Sequence, residues 1–243
     1  MNEIQHETKA FLRRLIDIYL KDDVLLSLGF GSFWQNYDGL NSSSDIDFFV
    51  LLNSLPTMGS LLSFSNELSG YKITPFPLSC HIFVGAIDDL LISEDNVMRL
   101  LNIYAPPKKR PVILYGRDDI DLLVKFKNYN TEIRTILRAN LFRTTRFFLY
   151  EFVSTQGNPT QEALLEKYKQ AKRFQECFEY ANTRFWGHNE TGICRLLKDA
   201  IDEVERNSVK TFRTHDIYDL FSKYCKIVLS EDWNGKACCD NRC

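Results

Sequence analysis

Leu28-Gly29-Phe30-Gly31-Ser32, followed after twelve intervening residues by Asp45-Ile46-Asp47-Phe48-Phe49-Val50, is the stretch on which the reading of this chain turns. The first run is an apolar strand that ends in a Gly-Ser turn. The second is a strand that opens on two carboxylates. Side chains alternate along a strand, so Asp45 and Asp47 point to one side and Ile46 and Phe48 to the other. Two carboxylates held close together repel each other, and a cation between them relieves the repulsion. A few hard oxygen ligands, with room left for substrate phosphates, suit Mg²⁺. Gly31 allows the backbone to come close to a ligand, and successive backbone N–H groups with the Ser32 hydroxyl can donate to phosphate oxygens. The plainer alternative is that Asp45 and Asp47 only cap a strand end.

Working outward, Ile4, Phe11, Leu12, Leu15, Ile16, Tyr19 and Leu20 recur at helical spacing, which predicts an amphipathic helix over residues 4–20. Lys21-Asp22-Asp23 breaks it, and Val24 to Leu28 is the first strand. Phe33 to Leu40 has room for one helical turn before the polar loop Asn41-Ser42-Ser43-Ser44, and Asp45 to Leu52 is the second strand. Met58 to Leu68 reads as a helix stopped by Gly70, Tyr71 to Thr74 as a short strand, and Ser79 to Val84 as another. That last strand carries Ser79, His81 and Phe83 on one face, with no acid among them; Asp88 and Asp89 come later, at a helix start. Ile87 to Tyr104 reads as helix, Pro106 to Arg110 as a basic turn, Pro111 to Tyr115 as a strand closed by Gly116-Arg117-Asp118, and Asp119 to Lys127 as a short helix.

Past Tyr129 the strand patterns stop and long helical ones begin. Gln156-Gly157-Asn158-Pro159 divides the first helix from the second, with Asn158 expected as the cap, Pro159 in the first helical position and Gln161 closing a capping box. Further helices follow from about Thr191 and from Thr214. Four helices with short connections make a bundle. The expected organisation is a domain over residues 1–128, a helical bundle over 129–230, and a cysteine-rich tail over 231–243.

The chain has 243 residues, 44% of them hydrophobic and 26% charged, which is the make-up of a soluble globular protein large enough for a proper core. No apolar run is long enough to cross a bilayer, and the N-terminus is polar and acidic, unlike a secretory signal. A net charge of −2 argues against nucleic acid as a partner. Seven cysteines, an odd number and without paired ligand spacing, fit a reduced, cytoplasmic protein better than a disulfide framework or a zinc site.

An apolar strand, Gly31-Ser32, the interval from Phe33 to Ser44, and then Asp45-Ile46-Asp47 within an apolar run together resemble the signature of the nucleotidyltransferase superfamily. That group includes DNA polymerase β, the minimal nucleotidyltransferases, and the aminoglycoside and lincosamide nucleotidyltransferases. Ser44-Asp45-Ile46-Asp47-Phe48-Phe49-Val50 is closest to the antibiotic-modifying branch. The resemblance implies an α+β fold, with a polymerase β-like mixed sheet flanked by helices and an all-α bundle following, and an active site in the cleft between the two. It implies Asp45 and Asp47 as ligands of Mg²⁺, and Gly31, Ser32 and Ser44 as contacts to a nucleoside triphosphate, ATP in this branch. The acceptor it implies is a small hydroxylated molecule. In the family a third carboxylate completes the metal site or takes the proton from the attacking hydroxyl. This chain departs from the pattern there, and His81 is the candidate for that proton; alternatively it is a hydrogen-bonded strand residue with no chemical role. Two other functions stay open: a protein that binds nucleotide without turnover, and a nucleotidyltransferase acting on protein or RNA of toxin–antitoxin type.

Overall fold

Asn2 starts the first helix, and a computed structural model gives the atoms that do it. The Asn2 side chain accepts from the Gln5 N–H at 2.9 Å, and Gln5 Oε1 accepts from the Asn2 N–H at 2.8 Å, a reciprocal capping box. The structure describes residues 1–35, 40, 44–71, 75–84, 94–105, 110–116, 130–207 and 211–229. The chain divides into two compact units, Met1–Lys125 and Phe126–Cys243. It is an α+β protein, with a four-stranded mixed sheet and eight helices among the described residues.

In the first unit the order is α1 (Glu3–Tyr19), β1 (Val24–Phe30), α2 (Ser32–Gln35), β2 (Ile46–Leu52), α3 (Met58–Gly70), β3 (Leu78–Val84), α4 (Glu94–Tyr104) and β4 (Val112–Gly116). The sheet runs β3-β2-β1-β4, with β2 antiparallel to β1, β4 antiparallel to β1, and β3 parallel to β2. Alternation along β2 sends Ile46, Phe48, Val50 and Leu52 to one face, where they meet Leu12, Leu15 and Ile16 of α1, Phe33 and Trp34 of α2, and Phe64 of α3. Burying one such side chain contributes about 1.5–3 kcal/mol, so this layer holds the sheet to its helices. The opposite face carries Asp47, Phe49 and Leu51, of which Phe49 and Leu51 are wholly buried. Asp47 is the one polar residue in an otherwise apolar strand.

Tyr71 is no strand residue. Its N–H bonds to the Leu68 carbonyl and closes α3, while its ring stacks on Phe11 at 4.0 Å and its hydroxyl bonds Thr8 Oγ1 at 2.9 Å. Several expected features lie outside the described residues: the loop Asn41-Ser42-Ser43, the rest of the strand ending at Thr74, Asp88 and Asp89, the helix start at Ile87, the turn Pro106 to Lys109, Arg117-Asp118, the helix over 119–127, and the tail over 231–243.

The second unit packs four helices on one another: α5 (Asn130–Ser154), α6 (Gln161–Arg184), α7 (Thr191–Asn207) and α8 (Thr214–Leu229). Its core is aromatic, with Phe148 stacked on Phe221 at 5.7 Å and Phe174 beside the buried Tyr224 at 5.7 Å. The cap of α6 is Thr160 and not Asn158: the Thr160 hydroxyl accepts from the Ala163 N–H at 3.2 Å. Gln156 and Gly157 both take positive φ, at 53° and 82°, so the chain is still turning when it reaches Asn158. Gln161 closes no capping box either. Its amide pairs with the backbone of Phe212, donating to the carbonyl at 2.8 Å and accepting from the N–H at 3.0 Å. Thr160→Ala is therefore expected to cost about 1 kcal/mol in denaturant unfolding of the bundle, and Asn158→Ala less than about 0.5 kcal/mol.

Among the described residues no helix is long and apolar enough to cross a membrane.

Candidate functional site

The two carboxylates and the Gly-Ser turn meet at one end of the sheet, where β1 finishes and β2 and β3 begin. The register pairs Phe30 with Asp47 across the antiparallel ladder, and Asp47 with Ser79 across the parallel one. Paired residues share a face, so Phe30, Asp47, Ser79 and His81 emerge together on the side away from α1 and α3.

Gly31 turns the chain with φ +80°, a conformation that side chains other than glycine's rarely adopt. A Cβ on it would lie 2.7 Å from Asp47 Oδ2. The Asp47 carboxylate thus sits directly against the Gly31 backbone. Ser32, the next residue, is exposed to solvent. Asp45 and Ser44 precede the first strand residue of β2 and are both half-buried.

Burial pushes the Asp47 carboxyl above its ordinary pKa, and the neighbouring charge of Asp45 pushes it further. The hydrogen bond and charge of His81, with the charge of Arg99 from α4, pull it partly back. His81 Nε2 lies 3.5 Å from Asp47 Oδ1 and 3.4 Å from Ser79 Oγ, and the imidazole lies 5.7 Å from the Phe30 ring, centre to centre. With a proton on Nε2 the ring donates to Asp47, which leaves Nδ1 as its acceptor. Cys80, between Ser79 and His81, turns to the helix-covered face, where burial pushes its thiol up to about 12 and keeps it unreactive.

The structure therefore brings Gly31, Asp45, Asp47 and His81 into one neighbourhood, with Ser32 next in the chain to Gly31 and Ser44 next to Asp45. Among the described residues no three His, Cys, Asp or Glu side chains gather closely enough to cage a metal ion unaided. What Asp45 and Asp47 could offer a metal is an open set of oxygen donors, one with its ionisation disfavoured by burial and by a like charge. That suits Mg²⁺, which keeps water or takes substrate phosphates for its remaining positions, and does not suit a closed structural site.

Six basic residues could by sequence supply charge to a triphosphate: Lys72, Arg117, Arg143, Arg146, Lys169 and Lys172. Of these, Lys169 and Lys172 make ion pairs with Glu166 and Glu205 at 4.0 and 3.0 Å, and Arg146 lies over the Phe147 ring at 5.5 Å. Lys72 and Arg117 lie outside the described residues. Arg99 is the cation whose charge reaches Asp47, and sequence reasoning missed it. Its signal was one arginine inside Val97-Met98-Arg99-Leu100-Leu101, four apolar residues that are all buried. Two further residues escaped notice. The Trp34 indole donates to the Asp47 carbonyl at 2.8 Å, and Gln5 Nε2 donates to the Phe33 carbonyl.

No protein-family model matches the chain, and no curated protein matches it at a significant level.

Proposed function

We propose that this protein is a Mg²⁺-dependent nucleotidyltransferase of the polymerase β-like fold, transferring a nucleoside monophosphate from ATP to a hydroxyl of a small molecule. The observation that carries the reading is the Asp47 carboxylate packed against a left-handed Gly31, with its ionisation opposed by burial and by Asp45. An anion held under those conditions is stabilised by a bound cation, and the adjoining Gly31-Ser32 turn offers donors to phosphate. A mixed sheet with the paired acids opening a central strand supports the fold assignment.

In this reading Asp45 and Asp47 hold Mg²⁺. The ion, when bound, neutralises phosphate charge and stabilises the departing pyrophosphate. The backbone N–H groups at Gly31 and Ser32, the Ser32 hydroxyl and Ser44 hold the triphosphate in line for attack. His81 keeps its Nε2–H toward Asp47 and takes the acceptor's proton at Nδ1. The acceptor oxygen then bonds to the α-phosphorus as the bond to pyrophosphate breaks. His81→Gln is expected to lower the transfer rate about 10²-fold, with ATP affinity unchanged. If affinity falls with rate, His81 is a ligand-site residue and not the base.

The test is incubation with labelled ATP and Mg²⁺, using separate small-molecule and macromolecule pools as acceptors and Asp45→Ala as control. Label entering the small-molecule pool, and lost in the variant, supports the proposal. Transfer undiminished in Asp45→Ala refutes the assigned site. Label entering protein or RNA instead moves the acceptor to a macromolecule. One observation favours a second reading, nucleotide binding without turnover: β3 offers Ser79 and His81 beside Asp47 where the family has an acid. That reading predicts Mg²⁺-dependent ATP binding with no pyrophosphate released under any acceptor.

A further inference from the structure

We infer that Gln5 and Trp34 are positioning residues that clamp α2 from two sides and so hold Gly31-Ser32 against Asp47. The inference rests on the proposed reading of these three residues as a nucleotide site. The described part of α2 is one turn, Ser32–Gln35, and a single turn of helix has few internal hydrogen bonds with which to hold its own orientation. Two side-chain hydrogen bonds to neighbouring elements, one received from α1 and one given to β2, fix it. On one side, Gln5 of α1 donates from Nε2 to the Phe33 carbonyl, while its Oε1 is fixed by the Asn2 N–H at 2.8 Å. Gln5 is buried, and both halves of its amide are used. On the other side, Trp34 donates from Nε1 to the carbonyl of Asp47 at 2.8 Å.

That second bond ends on the peptide oxygen of the residue that carries the carboxylate. Any displacement of α2 is therefore passed to Asp47 and its partners on β2. The indole also has no freedom to slide. A Cβ at Gly29 would lie 2.5 Å from Trp34 Cε2, so the ring lies flush on β1, and Phe33 meets it edge-on at 4.9 Å. Gln5, Phe33, Trp34 and Asp47 thus link α1, α2 and β2 into one frame around the Gly-Ser turn.

Trp34→Phe keeps an aromatic ring on Gly29 and removes only the N–H donor; Gln5→Met keeps side-chain length and removes the amide. The full chain is compared in each form by amide hydrogen exchange and by calorimetric titration with Mg²⁺–ATP. Exchange over residues 30–35 is expected to speed up about tenfold in each variant, with α4 unchanged, and the Mg²⁺–ATP dissociation constant to rise about tenfold. No acceleration at 30–35, or equal acceleration across the whole of Met1–Lys125, overturns the clamp. Local acceleration with unchanged Mg²⁺–ATP affinity overturns the positioning role. Local acceleration in a protein whose wild type binds no Mg²⁺–ATP refutes the nucleotide reading and leaves the clamp standing. Gln5→Met, on a different element, carries the same measurements should Trp34→Phe not fold.

Discussion

Asp47→Asn is expected to reduce Mg²⁺-dependent transfer by about 10³-fold or more, and to raise the melting temperature of the divalent-free protein at neutral pH. The two effects have opposite signs and one cause. Burial and the charge of Asp45 raise the Asp47 pKa in the folded protein. Between the ordinary carboxylate pKa and this raised one, the native protein binds more protons than the unfolded chain. Stability therefore falls as pH rises through that window, and the full penalty remains above it. Asparagine carries no charge to desolvate, so the penalty disappears in the variant. Below the ordinary carboxylate pKa both forms are neutral and the advantage of asparagine vanishes. Melting curves at neutral and acid pH, beside transfer assays, check this. A carboxylate that served only to brace the sheet would lose stability and activity together when replaced.

Gly31→Ala is expected to cost about 1–3 kcal/mol of stability and to lower turnover about 10²-fold. Two penalties combine at this position. The first is the positive φ of 80°, which brings a Cβ close to the backbone. The second is a Cβ 2.7 Å from Asp47 Oδ2, so the carboxylate must rotate away from the position in which it faces the turn. Denaturant unfolding reads the first, and turnover reads the second. In an Asp47→Asn background the turnover loss should largely disappear, because the group being displaced no longer carries the charge. Gly70→Ala is the control: a Cβ there meets nothing within 4 Å.

Much of this frame can be read directly from residue order. The apolar run in β2 and the side that Asp47 takes, opposite Ile46 and Phe48, follow from strand periodicity, and the turn at Gly31 from a glycine closing an apolar strand; Asp45, expected as the first strand residue, lies just ahead of β2. His81 was legible because it shares a strand face with Ser79 and Phe83 where the resemblance leads one to expect an acid. The features that escaped are those made by distant partners. Trp34 read as one more apolar residue, because nothing local says that its indole reaches a carbonyl thirteen residues on while its ring lies on Gly29. Gln5 could be recognised as the third residue of a capping box, yet its second bond goes to Phe33, twenty-eight residues away. The start of α6 went astray for the same reason. Asn158-Pro159 with Gln161 satisfies the local capping rule, but Gln161 is engaged by Phe212 from the approach to α8, and Thr160 takes over as cap. Local pattern fixes where elements form, and tertiary hydrogen bonds decide which polar side chain is left over to end them.

The central claim is that Asp45 and Asp47 share a divalent ion beside the turn that grips a triphosphate. Mn²⁺ is a paramagnetic stand-in for Mg²⁺, and its binding to the ATP-loaded protein can be followed by electron paramagnetic resonance. The account predicts Mn²⁺ bound in the ternary complex by the wild type, and weakened by at least about tenfold in both Asp45→Asn and Asp47→Asn. Equal Mn²⁺ binding by all three proteins, or no ternary complex with the wild type, would contradict it.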